Sequence, residues 1–354
     1  MFIHRLLFPS IFIVSCLTTL TNGAALPNDE VEALKTIGRT LGKIDWNFSI
    51  DPCSGGDGWL DQPTLYYVNN VTCDCSFNNN TTCHVIHIVL SGQNLSGTLP
   101  SNLTGLPFLQ KIELIRNYLS GIIPSEWGSA TQLAHISLLG NRLTGSIPKE
   151  LANLKNLIIL ILENNGLSGI LPAALGNLSK IERLHLSSNN FIGEIPETFA
   201  RLTSLKEFRI CDNNFTGQIP EFIFRNWTSL EMIYMEASGL SGPIPSINPS
   251  FENVEYLVIS DLNGADTSFS QLLINASLPK LNRLMLRSCN LVGEIAAPFE
   301  RFTTLKILDL SFNRLRGKIP EELSALVDLD YLFLNGNNFT GTIPSWILNT
   351  TGKV

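Results

Sequence analysis

Charge is scarce in this chain. Of its 354 residues 16% are Asp, Glu, Lys or Arg, and the 24 Lys and Arg are spread thinly with no basic run. With a formal net charge of -7, a phosphate backbone finds no electrostatic support, which excludes nucleic acid as a partner. Beyond the first 20 residues no apolar run approaches the ~20 residues that a membrane-spanning helix requires. No glycine-rich phosphate loop, His-Arg-Asp triplet or Asp-Phe-Gly occurs, so phosphoryl transfer lacks a phosphate cradle, a base and a metal ligand. His87, His135 and His185 have no nucleophile at a defined spacing, and no paired-carboxylate site can be argued, so neither catalysis nor a cofactor is expected. What remains is ample for a core: 44% of the residues are hydrophobic.

The chain opens with a short positive region, Met1 to Arg5, an apolar stretch from Leu6 to Leu20 and small residues near Ala24. This is the pattern of a signal peptide, here residues 1–24, and it predicts a secreted, extracellular chain. Removing Cys16 leaves six cysteines, of which Cys53, Cys73, Cys75 and Cys83 crowd one short region. Two disulfides are expected there in one of three connectivities. The rival reading, a metal held by Cys73, Cys75, Cys83, His84 and His87, is disfavoured in an oxidising compartment. Asn-x-Ser/Thr sequons stand at Asn47, Asn70, Asn79, Asn80, Asn94, Asn102, Asn177, Asn214, Asn226, Asn275, Asn338 and Asn349, which predicts heavy glycosylation of exposed loops.

From Val85 onward one pattern recurs: Leu-x-x-Leu-x-Leu-x-x-Asn-x-Leu-x-Gly-x-Ile-Pro. Leu133, Ile136, Leu138, Asn141, Leu143, Gly145, Ile147 and Pro148 show it in full. Eleven copies open at Val85, Leu109, Leu133, Leu157, Ile181, Leu205, Leu230, Val254, Leu281, Leu305 and Leu329, and they are called coils one to eleven below. Leu-x-Leu is a short strand with alternate side chains inward. One copy cannot bury its own apolar side, so copies stack into a solenoid with a parallel concave sheet. The expected fold is thus an α/β, β-dominated leucine-rich-repeat solenoid over residues 85–352, with a disulfide-stapled cap over 25–84.

Within each coil the ninth residue is Asn at 117, 141, 165, 189, 213, 313 and 337, where an amide can pair backbone groups of adjacent coils. Gln93, Ser238, Leu262 and Cys289 replace it, so Cys289 reads as a buried ladder thiol. In the cap, Asp29-x-x-Glu32 has the form of a capping box, and Val31, Leu34, Ile37 and Leu41 fall on one helix face. Trp46 and Trp59 read as cap core. The eighth coil is longer and lacks both the Asn and Gly-x-Ile-Pro, so residues 262–280 read as a tolerated surface insertion in preference to the alternative, an interaction loop.

The repeated Gly-x-Ile/Leu-Pro resembles the plant-specific class of leucine-rich repeats found in receptor-like kinases, over about three quarters of the chain. A narrower resemblance lies in Asp29-Glu30-Val31-Glu32-Ala33-Leu34, Asp51-Pro52-Cys53, Cys73-Asp74-Cys75, Cys83-His84-Val85-Ile86 and the stretch from Leu281 to Leu291. These segments are similar to the receptor-like serine/threonine kinases that join the repeats to a malectin-like domain. The resemblance implies an extracellular ligand-binding region of a plasma-membrane receptor, with a peptide or protein ligand and a co-receptor as partners. Against that plan the chain stops at Val354, as a twelfth repeat would begin, which is expected of a truncated ectodomain with its kinase elsewhere. Some peptide receptors of this kind hold a peptide carboxylate with two arginines that flank a strand residue. Here Cys211 stands where the second arginine after Arg209 would be, so the device is absent from this repeat.

The third, fifth, seventh and eighth residues of each coil face the concave side in rows about 4.8 Å apart. From coil five to coil nine these rows carry Arg183, His185, Glu207, Arg209, Met232, Tyr234, Glu236, Tyr256, Arg283, Met285 and Arg287 as candidate ligand contacts. Tyr and Arg favour protein recognition. The alternative function is a secreted inhibitor of a cell-wall-degrading enzyme, similar in repeat class to polygalacturonase-inhibiting proteins. Those carry a cysteine-containing C-terminal cap, whereas this chain has no cysteine after Cys289.

Overall fold

The computed structural model describes residues 24–56, 59, 69–296 and 299–349. The expected signal peptide, save Ala24, and the end at 353–354 lie outside the described residues.

Each Leu-x-Leu becomes a strand. His135–Ser137 and Ile159–Ile161 bury Ile136, Leu138, Leu160 and Leu162, and they pair in parallel, Ile136 opposite Leu160 and Leu160 opposite Leu184. Pairing of this kind runs from β2 (Thr82–Val89) to Tyr331–Phe333 in one twelve-stranded sheet. Its first strand, β1 (Asn70–Phe77), is antiparallel to β2. Coil three alone buries Leu133, Ile136, Leu138, Leu143, Ile147 and Leu151. At about 1.5–3 kcal/mol per buried aliphatic side chain, stacking supplies the driving force that a lone coil lacks.

The ninth-position Asn secures each coil to the one before. Oδ1 of Asn141 accepts from Leu119 N (3.1 Å), and its Nδ2 donates to Leu114 O (2.8 Å) and Leu138 O (3.0 Å). Asn189 repeats this with Leu167 N, Leu162 O and Leu186 O. In coil nine the thiol takes over. Cys289 is buried, its Sγ donates to Ile259 O (3.3 Å) and Arg287 O (3.2 Å), and its amide donates to Asn313 Oδ1 (2.9 Å).

Beyond the ladder the chain forms a second, lateral sheet that the concave-strand pattern did not reveal. Ser120–Gly121, Arg142–Gly145, Gly166–Ile170, Asn190–Gly193 and Asn214–Phe215 join as five parallel strands. The Pro of the repeat then starts a short helical turn on the convex side, as Pro148 does for Lys149–Asn153.

The cap begins with α1 (Asn28–Leu41), which buries Leu34, Ile37 and Leu41. The expected capping box does not form. Pro27 occupies the cap position, so Asp29 and Glu32 lie inside the helix; Asp29 meets only Glu30 N, and Glu32 pairs with Lys35 at 2.7 Å. Instead Glu30 turns inward and is buried, accepting from Val85 N (2.9 Å) and contacting His84 Nδ1, which pins α1 to β2. Cys53 pairs with Cys73 and Cys75 with Cys83, which resolves the connectivity and leaves none of these sulfurs for a metal. Trp46 and Trp59 are buried with centroids 5.0 Å apart. Gln93, the first ninth-position residue, accepts from Lys43 Nζ at 2.6 Å and so joins cap to solenoid.

Residues 262–280 correct the expectation of a surface insertion. Leu262, Phe269, Leu272, Leu273, Ala276 and Leu278 are buried, because the longer coil folds a helical turn, Phe269–Leu273, into the core. Residues 263–266 form an exposed run ahead of that turn. The five-stranded lateral sheet ends at Asn214–Phe215, Ser241–Gly242 pairs with Asn263–Gly264, and Thr267–Ser268 starts a new block.

Candidate concave recognition surface

Strand register decides which candidate residues meet. Arg183, Glu207, Met232, Tyr256 and Arg283 form one row, and His185, Arg209, Tyr234, Val258 and Met285 the next. These rows hold two different arrangements, one closed on itself and one open.

The closed one surrounds Glu207. Its Oε1 lies 2.8 Å from Arg183 Nε, and its Oε2 lies 3.0 Å from His185 Nε2 and 3.2 Å from Arg209 NH2. The expectation that all the candidates face solvent is therefore corrected for His185 and Glu207, which are buried. Members of one row are one strand spacing apart and neighbouring rows only two residues apart, so long opposite charges close over each other. Burial works to raise the Glu207 carboxyl, but the His185 hydrogen bond and the Arg183 and Arg209 charges outweigh it and hold the group below the usual carboxylate range.

The open arrangement continues along the same rows. Arg209 lies over the Tyr234 ring at 5.1 Å, Tyr234 stacks on Tyr256 with centroids 6.4 Å apart, and Arg283 lies 5.9 Å from the centroid of Tyr256. Cation–π contact and ring stacking rigidify all four side chains while leaving them half-exposed. Nε of both Arg209 and Arg283 is buried without a hydrogen-bond partner. Arg283 and the exposed Arg287 enter no ion pair among the described residues; Arg287 lies over Phe312 at 4.5 Å, with half-buried Met285 between the two on the strand.

On the seventh-position row Glu236 is half-buried. Burial, and then the negative charges of Asp212 and Asp261, push its carboxyl up against the opposing pull of Arg283. Beside it Cys211 is pushed up to about 11 by burial, so near neutral pH it is a thiol. Asp212, Asp261 and Phe312 were not singled out from the sequence, although each occupies the eighth position that faces this side.

The sequons lie elsewhere. All are exposed except Asn70, which is half-buried, and Asn349, whose side chain lies outside the described residues. None falls on a third, fifth, seventh or eighth position of any coil.

Leucine rich repeat family profiles match residues 132–154, 156–178, 180–202 and 204–226, and again 279–339. A probable leucine-rich repeat receptor-like serine/threonine-protein kinase of Arabidopsis thaliana is 48% identical over 121 residues, 32% of this chain and 12% of the relative. A second such kinase of that plant is 41% identical over 339 residues, 94% of this chain and 32% of the relative. The chain thus spans a minor part of the curated relatives it matches. Among solved structures, that of PEPR1 with AtPEP1 is similar with a TM-score of 0.67 at 29% identity, over 90% of this chain and 46% of that one. The Arabidopsis receptor kinase HAESA, in complex with the peptide hormone IDA and the co-receptor SERK1, gives 0.66 at 26% identity, over 90% and 55%. The chain belongs to the leucine-rich-repeat proteins, and its solenoid is of the kind carried by the plant leucine-rich-repeat receptor-like serine/threonine kinases.

Proposed function

We propose that this chain is the extracellular recognition region of a plant cell-surface receptor-like kinase, and that a peptide or protein ligand lies along its concave wall over coils five to nine. The observation that carries this reading is the Arg209–Tyr234–Tyr256–Arg283 stack, a pre-ordered aromatic and cationic surface that costs little further side-chain entropy on binding. Arg183, Met232, Met285 and Arg287 extend the contact surface, while buried His185 and Glu207 hold Arg183 and Arg209 in place. Glycans on the sequons would leave that wall bare, since no sequon falls on its rows. The likeness to the receptor kinase HAESA, solved with a peptide hormone and a co-receptor, supports the same partner classes here.

The narrower kinship, with kinases that also carry a malectin-like domain, rests on Asp51-Pro52-Cys53, Cys73-Asp74-Cys75 and the Leu281–Leu291 stretch. Coding sequence for a malectin-like domain, a membrane span and a kinase, in frame on the same transcript, is the expected finding. A transcript that ends without them contradicts this part of the proposal. For the ligand, a photo-crosslinking residue at Met232 should capture a peptide from plant extracellular fluid, and one on the convex turn at Lys149 should not. Equal capture at both positions contradicts a concave site.

A further inference from the structure

The lateral sheet of coils two to five carries apolar side chains that its own packing does not require. At Gly121, Gly145, Gly169, Gly193, Gly217, Gly317 and Gly341 the residue after the preceding coil's repeat glycine packs against the glycine. A Cβ added to Gly217 would meet Glu194 Cγ at 2.8 Å, and one added to Gly317 would meet Glu294 Cγ at 3.0 Å. Glu and Lys do this with the charged end in water. Ile122 and Ile170 do the same over Gly145 and Gly193, yet remain 63% and 64% exposed. Ile192, 48% exposed, sits directly across from Ile170 where Ser120, Thr144 and Ser168 stand in coils two to four.

We propose that this lateral face is a self-association surface that joins two copies of the chain. Across the outward positions of the four coils the only charges are Arg142 and Glu194, so two such faces meet without the repulsion expected between chains of net charge -7. Arg142 and Glu194 stand on opposite sides of Ser168, in the coils before and after it. A twofold contact centred on Ser168 sets the guanidinium of one copy against the carboxylate of the other, the self-complementarity that an isologous interface needs. The sequon Asn94 borders the patch, Asn214 stands on the next strand beside Ile192, and those at Asn102, Asn177 and Asn226 lie on the convex turns, so no sequon falls on the four strands themselves. Four strands about 4.8 Å apart, with about four residues of about 3.3 Å each, make a face of roughly 19 by 13 Å. That is small for a stable interface, so the dimer is weak and reversible.

Sedimentation equilibrium of the secreted, glycosylated chain tests this directly. The expected result is a reversible dimer with a micromolar dissociation constant. Thr144→Asn makes an Asn-x-Ser sequon with Ser146 on an exposed position, so it sets a glycan in the patch; with occupancy confirmed by mass and an unchanged melting temperature, that variant is expected to be monomeric. Glu194→Arg alone should weaken the dimer at least tenfold, and adding Arg142→Glu should restore it. A wild-type chain that stays monomeric up to roughly 100 μM, well above the micromolar range, overturns the proposal. So does a dimer that persists in glycosylated Thr144→Asn, or one that Glu194→Arg leaves unchanged.

Discussion

The guanidinium of Arg209 lies 5.1 Å from the ring centroid of Tyr234 in the adjacent coil, and the same side chain donates to the Glu207 carboxylate at 3.2 Å. Arg209 thus couples the buried charge cluster to the exposed aromatic stack. Replacing Glu207 with Gln removes the charge that holds Arg183, His185 and Arg209 together. Because the Glu207 carboxyl sits below its ordinary value, its contribution to stability is present above the unfolded-state value of about 4.3 and is lost as pH falls through the folded value. Thermal unfolding of the parent is therefore expected to weaken between about pH 5 and 3, and Glu207→Gln to weaken less over that interval. Parallel pH profiles of the two proteins would contradict this assignment.

Glu236 has the opposite sign. Its carboxyl is raised by burial and by Asp212 and Asp261, so the folded state holds a proton that the unfolded state has already released. Stability from this group falls as pH rises from about 4 toward neutrality. Glu236→Gln should raise the melting temperature at pH 7 and change it little at pH 4, as differential scanning calorimetry can show. A variant less stable than the parent at pH 7 would assign the carboxylate a favourable partner.

The ladder amides carry a measurable share of stability. Asn189→Ala leaves Leu167 N without its acceptor in a buried seam, whereas Leu162 O keeps the bond from Asn165 Nδ2 at 3.1 Å. Its cost is expected at about 1–3 kcal/mol from one unpaired backbone group, read by denaturant unfolding. A loss below about 0.5 kcal/mol would mean that water or a shifted coil replaces the amide.

The two free thiols should differ in reactivity. Cys289 is buried in the ladder with its thiol raised by burial, and Cys211 is half-buried and raised to about 11. A thiol-specific chromogenic reagent at pH 8 should label Cys211 slowly and Cys289 only after unfolding. The Cys211 rate should rise about tenfold per pH unit until it levels near 11. Fast native labelling of Cys289 would contradict its place in the ladder.

The sequence announced what repeats. The ninth-position row, the inward Leu-x-Leu and the reading of Cys289 as a ladder member all follow from a period of two dozen residues, because local pattern and core position are then the same thing. What it could not announce were pairings between unrelated positions. Gln93 meets Lys43 fifty residues away, and Glu30 meets His84 across the cap. The burial of His185 and Glu207 depends on two long side chains closing across adjacent rows, whereas alternation alone points both outward. The eighth coil misled because a broken motif looks like a loop, although Phe269, Leu272 and Leu273 supply the core by another route.

The central claim is that a ligand is held by the stacked side chains of the middle coils. Once a captured peptide has been identified, its titration by isothermal calorimetry against the parent chain and against the combined Arg209→Ala, Tyr234→Ala and Tyr256→Ala variant tests it most directly. The account predicts a loss of at least a hundredfold in affinity, equivalent to about 2.7 kcal/mol, with the melting temperature within a few degrees of the parent. Unchanged affinity in the folded variant would contradict it.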